Sequence, residues 1–94
     1  MNNIEFKDIE NALASLTDRI AKIGRMENIP AKTEELAAQE KIAADPAFWN
    51  DTQKAKAVTQ KIDGLKTALE TYKNLQKQLE DAQTLYDLAR EMQD

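Results

Sequence analysis

The second half of the chain limits the fold more than any other stretch. Residues 50–92 hold no proline and one glycine, Gly64. Their apolar side chains recur at Val58, Ile62, Leu65, Leu69, Tyr72, Leu75, Leu79, Ala82 and Tyr86. Steps of four and three mark one side of an α-helix that lies against other helices. Gly64 costs such a helix about 1 kcal/mol relative to alanine, which a packed seam absorbs. At 1.5 Å per residue the helix is roughly 60 Å long, and a helix in water draws most of its stability from packing. The seam therefore needs a cover, and the first half of the chain has to supply it.

Ninety-four residues allow one domain with a modest core and little room for a buried active-site cavity. A composition 41% apolar and 32% charged with only 5% aromatic residues points to a soluble helical protein. With no cysteine there is no disulfide, thiolate nucleophile or zinc–thiolate site, and a reducing cytoplasm fits. With no histidine the commonest general base and transition-metal ligand are missing too. No apolar run reaches membrane-spanning length, and Met1-Asn2-Asn3-Ile4-Glu5 does not read as a signal peptide. Gly24 and Gly64 stand too far apart for a phosphate-binding loop, and no carboxylate pair is singled out. A non-catalytic protein is expected, with no cofactor, metal, membrane or small-molecule substrate.

In chain order, three helices are expected. The first covers residues 4–23, capped by Asn2 or Asn3, with a stripe of Ile9, Leu13, Leu16, Ile20 and Ile23. Gly24 is placed to end it. Pro30 opens a second helix over 30–44 with Asn28 as the candidate cap, and its apolar content is thin. Pro46 stops that helix because Asp45 before it is steered out of the α region. Asn50 then reads as the cap of the third helix, 51–92, with Gln53 as its capping-box partner. Between stop and start lie Phe48 and Trp49, the latter the only tryptophan. Two large aromatics in a tight connection read as a plug on the end of the helix packing, or else as an aromatic contact for a partner. The fold class is all-α, a three-helix antiparallel coiled-coil-like bundle with one long third helix, the first helix lying antiparallel or parallel to the third as the connections allow, in a single domain over 1–94.

Charge is uneven along the third helix. Residues 54–77 carry six lysines against two acids, whereas 78–94 carry one arginine against five acids. At 100° per residue Lys66, Lys73 and Lys77 fall on one stripe beside the seam. They read either as contacts to the phosphates of an RNA-containing partner or, more plainly, as a solvated flank paired with acids of neighbouring helices. The net charge of −4 gives no whole-chain attraction to nucleic acid.

The stretch Asp45-Pro46-Ala47-Phe48-Trp49-Asn50-Asp51, followed by Gln53-Lys54-Ala55, resembles the amino-terminal domain of the bacterial peptide chain release factor 2 family of class I release factors. In that family an Asp-Pro-x-Phe-Trp-Asp/Asn-Asp stretch precedes a long helix opening with Gln-Lys-Ala. The pattern Leu65-Lys66, Leu69, Tyr72, Leu75, Leu79-Glu80-Asp81 fits as well. The chain departs from the pattern at Glu27-Asn28, where relatives carry Leu-Asp, and at Gln39 and Ala43, where they carry larger apolar residues. The resemblance implies the front domain of a cytoplasmic factor that terminates translation at UGA and UAA. It also implies contact with the stalk base of the large ribosomal subunit and coupling to the GTPase release factor 3. The family's Ser-Pro-Phe and Gly-Gly-Gln elements do not occur in these 94 residues. From periodicity alone, the alternative is a coiled-coil adaptor or homodimer paired through the exposed part of the third helix.

Overall fold

The computed structural model describes residues 5–93. The chain is all-α: α1 spans Phe6–Met26, α2 Ile29–Ala43 and α3 Thr52–Gln93, with a 3-10 helix over Pro46–Asn50 between α2 and α3. The caps expected at Asn2 or Asn3 and the start at Ile4 lie outside the described residues.

Two boundaries differ from expectation, each for a local reason. Gly24 does not end α1, which runs on to Met26 with Gly24 buried. The left-handed turn falls to Asn28 (φ 48°, ψ 62°). Asparagine is one of the few residues that enters this region at modest cost, and its short amide can bond to the nearby backbone. Asn28 also caps α2, accepting from the Ala31 amide at 3.4 Å. Pro30 sits in the first turn, where its missing N–H is not needed. Lys32 fastens the turn from the other side, with its Nζ on the Glu27 carbonyl and 3.1 Å from the Glu27 carboxylate.

The second difference is the cap of α3. Asp51, not Asn50, accepts from the Lys54 amide at 3.1 Å, and the Asp51 carbonyl receives the Ala55 amide at 2.9 Å. Asn50 closes the preceding 3-10 turn instead. A carboxylate at this place bonds an orphan amide and meets the positive end of the helix dipole. The 3-10 turn has its own cap in Asp45, which accepts from the Ala47 amide at 3.0 Å.

Because Asn28 combines two roles, its substitutions should separate them. Asn28→Gly keeps the backbone conformation and is expected to cost a few tenths of a kcal/mol. Asn28→Ala loses both the cap and the left-handed tolerance, with an expected cost of about 1–2 kcal/mol. Urea unfolding of the two variants checks the order.

The chain divides into two compact units, with the division on α3 falling between Tyr72 and Lys73. The first unit holds α2, the 3-10 turn and α3 up to Tyr72. Its two helices form an antiparallel hairpin closed by residues 44–51, with Lys61 of α3 bonded to Glu35 of α2 at 2.7 Å. Phe48, Ala55 and Leu65 are its buried residues. α2 itself buries none, in line with its thin apolar content.

The second unit holds α1 and α3 from Lys73 onward. Phe6 lies against Tyr86 (5.9 Å between ring centroids), and the Arg90 guanidinium sits over the Phe6 ring at 4.9 Å. One turn further along α1, Glu10 meets the Tyr86 hydroxyl. As α1 advances from Phe6 to Glu10 its partners retreat from Arg90 to Tyr86, so this pair is antiparallel. Of the α1 stripe, Leu13 is buried, Ile9 and Ile20 are half-buried, and Leu16 and Ile23 are about two-fifths exposed.

Candidate functional site

The three lysines of the stripe divide between the units. Lys66 belongs to the α2 unit, and Lys73 and Lys77 belong to the α1 unit. All three are exposed. Among the described residues Lys66 and Lys73 make no ion pair, and Lys77 reaches only Asp81 on its own helix, at 3.4 Å with both side chains more than three-fifths exposed. Such a pair is worth well under about 1 kcal/mol and is easily exchanged for another anion. Pairing with acids of a neighbouring helix occurs at Lys61, outside the stripe.

The aromatic pair separates. Phe48 is buried at 7% exposure, whereas Trp49 is 59% exposed, so the expected plug is Phe48 alone. The 3-10 helix explains the split. With three residues per turn, neighbours project about 120° apart, and one of two adjacent side chains must face out. The indole still meets the Phe48 ring edge-on, with 5.0 Å between centroids and an interplanar angle of 79°.

Two open depressions flank this turn. One, lined in part by Lys41, Ile42, Asp45, Phe48, Asp51 and Lys54, carries charges of both signs. The other is lined by Trp49, Thr52, Ala55, Lys56, Thr59 and Gln60. Among the described residues no cluster of three carboxylates is placed to hold a metal ion. Among the same residues no helix is long and apolar enough to cross a membrane.

The polar contact between Glu10 and Tyr86 has no local sequence signal, because the two residues are 76 positions apart. Desolvation and the Glu10 carboxylate raise the Tyr86 hydroxyl above its ordinary pKa of 10.0. A raised tyrosine favours its neutral form in the fold. Its contribution is therefore complete below the ordinary value and is lost as pH climbs through the higher folded-state value. A titration followed by phenolate absorbance should show one tyrosine ionising later than in the unfolded chain. Tyr86→Phe should remove that late step and flatten the alkaline decline in stability.

Residues 32–94, which hold most of α2, the 3-10 turn and α3, match a known family, the PCRF domain. The chain belongs to the PCRF-domain family. Among curated relatives, it is 35% identical over 88% of its length to peptide chain release factor 2 of Acidothermus cellulolyticus and covers 22% of that protein. It is 31% identical over its whole length to peptide chain release factor 2 of Campylobacter jejuni, covering 25% of it, and 35% identical over 88% to that of Burkholderia pseudomallei, covering 23%. The chain thus spans about a quarter of the length of the curated relatives it matches. No solved structure is a significant match.

Proposed function

We propose that the chain acts in translation termination as the amino-terminal, ribosome-contacting domain of a class I release factor directed to UGA and UAA, and that residues 1–94 work as one non-catalytic module. The observation that carries this reading is the family match across α2, the 3-10 turn and α3, joined to relatives that bear the release factor 2 name. The partners proposed with it are the stalk base of the large ribosomal subunit and the GTPase release factor 3, met in the cytoplasm. The exposure of Lys66, Lys73 and Lys77 supports phosphate contact from α3, since the side chains that would touch RNA are open. The absence of a Gly-Gly-Gln sequence from these residues supports a non-catalytic role.

The test is cosedimentation of the chain with ribosomes over a salt series, alongside a peptide-release assay on stalled termination complexes. Weak, salt-sensitive binding and no release are expected. Replacing the three lysines with glutamine should lower the slope of log affinity against log salt by about 2 to 3, one lost counterion release per phosphate. Peptide release by the purified chain would overturn the non-catalytic assignment.

A second reading, a coiled-coil dimer, keeps support from one feature. The Leu79–Ala82–Tyr86 seam is half-buried or buried. However, Leu85, Leu88 and Met92 form a separate stripe that is 67%, 51% and 79% exposed. A single monomer boundary in sedimentation at every concentration would remove this reading.

A further inference from the structure

Trp49 is the only tryptophan in the chain, and it stands 59% exposed while its neighbour Phe48 is inside. A large apolar ring in water contributes little to folding, yet the backbone that carries this one is capped on both sides. The turn that carries it is capped by Asp45 at one end and followed at the other by Asp51, which caps α3. The buried Phe48 ring supports the indole from below. An amphipathic ring presented to solvent is the residue type that anchors protein interfaces, and tryptophan has only two side-chain torsions to fix when a partner covers it.

Beside the indole runs a shallow groove along the first turns of α3, about 450 Å³ in volume. Ala55, 8% exposed, belongs to its floor, and Thr52 and Thr59 keep the lane low enough for another backbone to approach. Lys56 is its one charged lining residue, and no carboxylate lines it, although acids outnumber bases in the chain 17 to 13. One cation is too few to hold a run of phosphates. Lys54, two residues away, lines the other depression together with Asp45 and Asp51. The local charge therefore favours a partner with an isolated carboxylate beside an apolar anchor.

We propose that Trp49 and the lane Thr52, Ala55, Lys56 and Thr59 form a docking groove for an acidic peptide segment of a partner protein. An apolar side chain of the segment covers the indole, and a carboxylate meets the Lys56 ammonium. This surface is separate from the lysine stripe, and it stands whether or not the chain touches a ribosome.

The test is selection from a random dodecapeptide library on the immobilised chain, with a counter-selection on the Trp49→Ala chain. Binding of the enriched peptides is then followed by emission of the sole tryptophan and by labelled-peptide anisotropy. The expected peptides carry an aromatic or aliphatic residue close to Asp or Glu and shift the emission to the blue. Trp49→Ala should weaken them by at least about tenfold, with Trp49→Phe intermediate, and Lys56→Gln by about threefold. Far-ultraviolet circular dichroism verifies that each variant is folded. Failure to enrich any peptide that depends on Trp49, enrichment of basic peptides, or tighter binding of octauridine than of the best peptide would each overturn the proposal.

Discussion

Replacing Phe48 by alanine is expected to destabilise the chain more than any other single truncation, by about 3 kcal/mol or somewhat more. Removing a buried phenylalanine typically costs ~3–5 kcal/mol, from lost transfer energy and from the cavity left behind. The lower part of that range applies, because an open depression adjoins the ring and lets the site relax. For a domain of this size such a loss lowers the thermal midpoint by roughly 12–24 °C. The neighbouring Trp49→Ala should cost within about 1 kcal/mol, most of it the edge-on contact with Phe48. Thermal denaturation of the two variants side by side is decisive. Equal losses would mean that both rings are structural, contrary to their 7% and 59% exposures.

The second large effect is expected at Leu13→Ala, at about 2–3 kcal/mol, the low end of the usual range for a buried leucine. Leu13 is the best-covered side chain that α1 brings to its pairing with α3, since Ile9 and Ile20 are half-buried and Leu16 and Ile23 more open still. With Leu13 truncated, α1 retains chiefly the Phe6–Tyr86–Arg90 cluster and the bond from Tyr86 to Glu10. Local opening of α1 is therefore expected before the whole chain unfolds. Hydrogen exchange should quicken through α1 while amides of α2 keep their protection. Leu16→Ala, at 41% exposure, should have a small fraction of the effect. Uniform acceleration in α1 and α2 alike would show instead that the two units unfold together.

Much of this architecture was legible in the residues. The four-three spacing from Val58 to Tyr86 marks α3, the stripe from Ile9 to Ile23 marks α1, and Pro30 and Pro46 bracket α2 to within one residue or so. What failed was punctuation by residue type. Gly24 looked like a terminator, but a glycine ends a helix only where the chain must turn left-handed, and here Asn28 takes that conformation. Asn50 and Asp51 are both good caps by type. The choice between them depends on how many residues the 3-10 turn consumes, which a sequence window does not register. The same turn decides which of Phe48 and Trp49 goes inside. The direction of α1 against α3 was fixed only by contacts between distant residues, Phe6 and Glu10 with Tyr86 and Arg90. Of the candidate surface, the lysine stripe followed from the helical repeat. The groove beside Trp49 did not, because it exists only once the indole is turned outward.

The shallowness of the interior bears on how this sequence can drift. Among the described residues no side chain is less than 2% exposed, and the buried apolar ones are Leu13, Phe48, Ala55, Leu65 and Tyr86. Most other positions sit on helix surfaces, where exchanges among good helix formers typically change stability by less than about 0.5 kcal/mol. Random mutagenesis should therefore find intolerance in a handful of places, and two of those, Asn28 and Asp51, would be chosen for backbone geometry rather than for greasiness. A chain built this way can exchange most of its letters and keep its helices, which makes its amino-acid identity a poor clock and its pattern of breaks and seams a durable signature.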